Sequence, residues 1–122
     1  MPSHALVTFI RSTFRSVWAL ELLLLLANEG SRNWSHAELV AALRASNLIV
    51  ARALNELSAA GLVLVEQDMR VRFAPSSDNL REMTLLAEEL YARAPDKVRR
   101  IIVSAGTDGL TAFSDAFRIR KD

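Results

Sequence analysis

The chain has 122 residues, of which 51% are hydrophobic and 24% charged, a composition typical of one globular domain rather than of a disordered segment. It contains no cysteine, which excludes disulfides, thiolate metal sites and cysteine nucleophiles and agrees with a reducing compartment. Fifteen basic and fourteen acidic residues leave a net charge of +1, so attraction to nucleic acid has to come from local patches.

The N-terminal region contains an apolar run from Val17 to Ala27, interrupted only by Glu21 and preceded by Arg11 and Arg15. The run is shorter than the roughly 20 residues that cross a bilayer. Two interpretations remain, the apolar segment of a secretory signal and a helix buried nearly all round. We favour the buried helix, because Glu21 breaks the run and the residues after Ala27 are a poor cleavage site. We therefore expect a cytoplasmic protein.

Two residues, Thr13 and Ser16, are both plausible N-caps for this helix. We place the main N-terminal helix at about residues 13–28. The apolar stretch from Leu6 to Ile10 either extends this helix backward or leads into it.

Two short helices are predicted next. Ser35 and Glu38 have the spacing of a capping box, and the apolar residues after them follow a helical period. Ser46 is a second N-cap, and Gly61 lies where a left-handed C-cap favours glycine. The apolar positions of the two helices are Leu39, Val40 and Leu43 in the first, and Leu48, Ile49, Val50, Leu54 and Leu57 in the second.

A hairpin follows, with strands at 62–66 and 69–73 around Gln67-Asp68. The first strand has the apolar character of one buried on both sides. The second alternates, with Arg70 and Arg72 on one face and Val71 and Phe73 on the other. Trp34 is expected to pair with the hairpin as a short strand.

The C-terminal part is predicted to be helical. A helical period from Leu80 runs to about Arg93, and Pro95 starts a new helix at its first turn. A break at 106–109 precedes a last short helix with Leu110, Phe113 and Phe117. We divide the chain into a core of residues 1–75 and a helical extension of residues 76–122, which together form one compact domain. The extension either packs on the core or forms a dimer interface. We favour the interface and therefore expect a homodimer.

Helix, tight turn, helix and hairpin follow one another from Ser35 to Phe73, and this stretch resembles bacterial winged helix-turn-helix transcription regulators of the broad MarR- and GntR-like kind. In such regulators a small polar residue caps the recognition helix, Val or Ile packs inward, and Gly-Leu-Val leads into the wing. The resemblance is carried by Ser46, Val50, Arg52, Leu54, Leu57 and Gly61-Leu62-Val63. It implies a mostly α fold with a small β-hairpin wing.

The resemblance also implies a DNA-binding surface, with the recognition helix in the major groove and the wing on the backbone. Arg52 suits a bidentate contact to guanine, and Asn55 one to adenine. Arg70 and Arg72 are the implied phosphate contacts of the wing. The full groove-facing set is Ser46, Asn47, Leu48, Ile49, Ala51, Arg52 and Asn55, with Ser35 and His36 near the DNA backbone.

An alternative follows from Leu48 and Ile49, which stand where such regulators commonly carry hydroxyl residues. The protein is then an adaptor that docks another protein on this apolar face and binds little or no DNA. A purely structural interpretation places Ile49 and Val50 in the core, leaves Leu48 half-buried, and treats Arg52 as a solvated surface residue.

Further basic residues lie towards the C-terminus, and they either flank DNA or are ordinary solvated helix ends. They are Arg93, Lys97, Arg99 and Arg100 around Pro95, and Arg118, Arg120 and Lys121 at the end of the chain.

The sequence does not indicate an enzyme. His4 and His36 lie in unrelated contexts, and the adjacent Glu88 and Glu89 diverge on a helix. The four glycines form no phosphate-binding loop. We expect no catalytic residue, metal or cofactor, and we predict a dimeric transcription regulator.

Overall fold

The computed structural model describes residues 3–104, which form six helices and one antiparallel hairpin. In chain order the elements are α1 (His4–Thr13), α2 (Val17–Asn28), α3 (His36–Leu43), α4 (Asn47–Ala59), β1 (Val63–Val65), β2 (Val71–Phe73), α5 (Asp78–Arg93) and α6, which begins at residue 95 and includes residue 104. The predicted mostly α fold with a small β-hairpin is confirmed. The predicted break at 106–109 and the helix after it lie outside the described residues.

The N-terminal region forms two helices, so the prediction that the main helix starts at about Thr13 was wrong. α1 ends at Thr13, and α2 begins after Ser16, whose hydroxyl accepts the Ala19 N–H at 3.2 Å. Ser16 has an extended backbone, which stops the helix from running through. Phe14 in the connection is buried and packs edge-on against Phe9, with ring centroids 5.7 Å apart.

α2 lies at the centre of the fold, packing against α3, α4, β2 and α5. Leu20, Leu22, Leu23 and Leu26 are fully buried, as expected of a helix with apolar residues on every side. Its polar residue Glu21 accepts a hydrogen bond from the Tyr91 hydroxyl at 3.1 Å, and Arg99 donates to that hydroxyl at 3.2 Å. None of the helices within residues 3–104 combines the length and apolarity needed to cross a bilayer.

The pair α3 and α4 follows the predicted caps. The Ser35 hydroxyl accepts the Glu38 N–H at 3.2 Å while the Glu38 carboxylate accepts the Ser35 N–H at 2.8 Å, which completes the capping box. Arg44, in the left-handed conformation at φ 52°, turns the chain between the two helices. The Ser46 hydroxyl then caps α4 by accepting the Ile49 N–H at 3.1 Å.

The hairpin pairs Val63 with Phe73 and Val65 with Val71. Trp34 joins it as predicted, since its N–H and carbonyl both hydrogen-bond to Val71 at 2.8 Å. The predicted alternation is confirmed within β2, because Val71 and Phe73 are buried and Arg72 between them is half-buried, whereas Arg70 lies before the strand. Burial of β1 on both sides was wrong.

The error in β1 arises because no further element within residues 3–104 covers its end: Val63 is buried, whereas Leu64 and Val65 are exposed. Both strands are also shorter than predicted. Met69 has φ 68°, a left-handed turn conformation, so β2 starts only at Val71.

The end of α5 at Arg93 and the start of α6 at residue 95 match the prediction. Ser77 caps α5, Pro95 occupies the first helical position of α6, and α5 packs against α1 and α2. The buried residues of the two helices are Thr84, Ala87, Leu90, Val98 and Ile102. The described part of the C-terminal extension therefore packs on the core.

Candidate nucleic-acid interface

α4 has one buried and one exposed face. Its inner face packs against α2 and α3 and consists of Val50, Ala53, Leu54 and Leu57. The opposite face exposes the side chains of Asn47, Leu48, Arg52 and Asn55. The structure thus brings the predicted groove-facing residues together on one side of one helix.

Three other predicted residues of this helix have different surroundings. Ser46 is exposed and serves as the N-cap, whereas Ile49 and Ala51 are half-buried. Leu48 is 59% exposed, so its predicted half-buried state in the purely structural interpretation was wrong. The first turn of α4 therefore exposes a large apolar side chain, that of Leu48.

At the start of α3, Ser35 and His36 are both half-buried. The hydroxyl of Ser35 already accepts the Glu38 N–H, so its local role is that of a cap.

The hairpin arginines are paired with carboxylates. Arg70 lies 3.6 Å from Glu38 and 3.9 Å from Asp68, and the Arg72 Nε lies 3.1 Å from Glu66. Each phosphate contact from these side chains would exchange one anion for another. The carboxylates that remain beside the arginines repel a phosphate, which lowers the net gain from each such contact.

Glu38 connects the hairpin to the loop before α3. Its second carboxylate oxygen lies 3.0 Å from Arg32, whose guanidinium stacks 3.5 Å from the centroid of the Trp34 ring. The hydrogen bond from the Ser35 N–H, followed by those from the Ser35 hydroxyl and Arg32, lowers the pKa of Glu38 below its ordinary value. This side chain therefore stays charged and holds the basic residues around it.

A groove of about 660 Å³ lies beside the C-terminal half of α4, between that helix and the end of α1. Its lining residues are Ser12, Thr13, Arg15, Arg52, Asn55, Glu56, Ala59 and Ala60. Burial raises the pKa of Glu56, and the nearby positive charge of Arg15 acts against this rise. The groove thus joins the predicted pair Arg52 and Asn55 to residues of a different helix.

Sequence reasoning missed the α1 side of this groove. Arg15 was considered only as a charge preceding the apolar run, because nothing in the local pattern shows that the end of α1 lies beside α4. The one available signal was the pair of plausible caps, Thr13 and Ser16. A helix that begins after Ser16 leaves Arg15 outside it, where its side chain can contact another element.

The basic residues near Pro95 divide into two groups. Arg93 lies 3.9 Å from Glu89, and Arg99 lies 3.2 Å from Asp96. Lys97 and Arg100 form no ion pair with any carboxylate in residues 3–104. The predicted basic residues beyond residue 104 lie outside the described residues.

The described part of the chain has no group of three or more His, Asp or Glu side chains that could hold a metal ion. Ser35 and Ser46 act as caps, in agreement with the sequence interpretation. Comparison with known proteins gives no match: no protein-family model, no curated protein and no solved structure matches this chain.

Proposed function

We propose that this protein is a DNA-binding transcriptional regulator of the winged helix-turn-helix type, in which α4 enters the major groove and the hairpin lies beside the DNA backbone. The observation that carries the proposal is the exposed face of α4. It presents Asn47, Arg52 and Asn55 on the side opposite the packed residues, and it follows a tight turn from a capped α3. Side chains of these types read base edges in the major groove.

The order of elements supports the same proposal. α3, α4 and the hairpin follow one another as in the resemblance, and Gly61 links α4 directly to β1. In proteins that read DNA this way, the second helix of the pair carries base contacts while the flanking elements contact phosphates.

The test is fluorescence anisotropy with duplexes enriched from a random-sequence pool by binding to the wild-type protein. Arg52→Ala and Asn55→Ala should each weaken binding about tenfold and relax the preference at one base position, because a good bidentate contact contributes about 1–3 kcal/mol of discrimination. Arg93→Ala is the matched control, since it removes one positive charge from an exposed site on α5. Equal affinities of wild type, Arg52→Ala and Asn55→Ala would contradict the proposal.

A second candidate function rests on a separate observation. Leu48 at the start of α4 and Leu64, Val65 and Met69 on the hairpin are all exposed apolar side chains. Surfaces of this kind are typical of protein contacts. An adaptor that docks a protein on the exposed Leu48 predicts that Leu48→Asp abolishes a protein complex and leaves the melting temperature nearly unchanged. A folded wild-type protein that binds no enriched duplex and shows this result would favour the adaptor.

A further inference from the structure

Basic side chains surround the C-terminal end of α1 on two sides. On one side, Arg15 shares the groove that contains Arg52 and Asn55 of α4. On the other side, Arg11 lines a second groove, of about 450 Å³, together with Lys97 and Arg100 of α6. Residues of α1 and its end thus bring together charges that are far apart in the sequence.

Four of these residues, Arg11, Arg15, Lys97 and Arg100, form no direct ion pair within residues 3–104. Among residues 3–104, none of them lies within 4.0 Å of a carboxylate oxygen. The Arg100 Nε donates to the backbone carbonyl of Asp96 at 3.3 Å, a contact that orients the guanidinium without cancelling its charge. We refer to the four residues as the basic band.

The acidic groups beside the basic band are already engaged or partly buried. The Asp96 carboxylate lies 3.2 Å from Arg99, and Glu56 is the half-buried acid that shares the groove with Arg15. The band therefore differs from the hairpin, whose Arg70 and Arg72 both have carboxylate partners.

From this contrast we infer that the basic band, rather than the hairpin, supplies the main phosphate contacts to a nucleic-acid duplex. The inference rests on the proposed function, because it takes α4 as the element inside the major groove. The phosphate backbone borders the major groove. Of the band residues, Arg15 lines the groove beside α4 together with Arg52, and Arg11, near the end of α1, continues the band to Lys97 and Arg100. The carboxylates beside Arg70 and Arg72 repel an approaching phosphate, whereas no carboxylate oxygen of residues 3–104 lies within 4.0 Å of a cationic nitrogen of the band.

The experiment compares two variants that each remove two positive charges: Arg15→Gln with Arg100→Gln, one from each groove of the band, and Arg70→Gln with Arg72→Gln in the hairpin. Anisotropy with a labelled short duplex between about 50 and 200 mM salt gives the slope of log affinity against log salt. The slope should become shallower by about 1.8 in the band variant, because each lost phosphate contact removes about 0.9. The hairpin variant should change the slope by less than half as much. Circular dichroism should show that both variants fold as the wild type does.

The possible outcomes separate this inference from the proposed function. If wild type binds and the hairpin variant loses at least as much slope as the band variant, the inference is overturned and the proposed function stands. If no duplex binds to the wild type, both are overturned. Sedimentation with vesicles containing phosphatidylserine adds a further arm: band-dependent binding to vesicles without duplex binding would assign the band to an anionic membrane surface instead.

Discussion

Single side chains in the first turn of α3 and in the loop before it determine how charge is distributed over the candidate interface. Glu38 completes the capping box and also contacts Arg32 and Arg70. One carboxylate thereby supports a helix start and reduces the positive charge available on the hairpin. Its neighbours are all exposed, so the ion pairs themselves add little to stability.

Glu38 predicts a specific pH dependence of stability. The pKa of Glu38 in the folded protein is lower than its ordinary value of 4.5, so the folded state is stabilised when this carboxylate is charged. The resulting stabilisation is present above pH 4.5 and is lost as the pH falls through the lowered pKa. Glu38→Gln keeps a hydrogen-bond acceptor for the Ser35 N–H but cannot titrate. We expect its urea midpoint to fall less than that of the wild type between pH 7 and acid pH.

Glu82→Gln provides the control for this measurement. Glu82 is exposed on α5 and forms no ion pair with residues 3–104, so its replacement should leave the pH dependence as in the wild type. If Glu38→Gln loses stability as steeply as the wild type on acidification, the Glu38 carboxylate is not the source of the pH dependence.

Among the elements, the connection from α4 to β1 decides where the hairpin lies relative to the exposed face of α4. Gly61 has φ 76°, and the Leu62 N–H reaches back to the Leu57 carbonyl at 3.0 Å. The Gly61 carbonyl also accepts the Ser76 N–H at 2.8 Å, which holds the chain just before α5. Three elements are therefore fixed at one glycine.

Gly61→Ala should lower the free energy of unfolding by more than about 1 kcal/mol, because a left-handed conformation costs an L-residue about 1–2 kcal/mol. The added Cβ would also lie 2.6 Å from the Ser76 hydroxyl oxygen. Urea denaturation measures the loss. In a Gly61→Ala background, Ser76→Ala should restore the stability lost through the close contact with the Ser76 hydroxyl. It should not restore the stability lost through the left-handed backbone of residue 61.

Gly30→Ala is the matched control for this prediction. A Cβ there would have its nearest neighbours at 3.6 and 3.9 Å, which is ordinary van der Waals contact. We expect a change within about 0.5 kcal/mol. Equal losses at Gly30 and Gly61 would refute the conformational explanation.

For the molecule as a whole, the open question is the role of the C-terminal helices. The described part of this region packs on α1 and α2, yet Leu85 of α5 and Val103 of α6 are 56% and 59% exposed. A homodimer formed through residues 78–117 stays a prediction, and it suits a DNA-binding regulator because two copies read two half-sites.

Light scattering on the purified wild-type protein should give twice the mass of one chain. Leu85→Glu should shift the protein towards a single-chain mass, because a buried unpaired charge disfavours the interface. Leu48→Glu is the control, since it places the same charge at an exposed apolar position of α4. A single-chain mass for the wild type at high micromolar concentration would contradict the dimer.

The sequence by itself determined the features that depend on neighbouring residues. Ser35, Ser46 and Gly61 were predicted correctly because a cap or a left-handed turn involves only the next few residues. The helical period similarly located α5, and Pro95 located the start of α6. The exposed positions of Arg52 and Asn55 followed from the same periodicity.

Only the tertiary structure decided which charges are available and which apolar residues are covered. Arg70 of the hairpin lies 3.6 Å from Glu38 of α3, and Arg11 of α1 lines the same groove as Lys97 of α6. Such pairs are separated by many residues, so no local pattern encodes them. The same reason explains the exposure of Leu64 in β1: the burial of a strand depends on what packs against it, and only the folded chain supplies or withholds that neighbour.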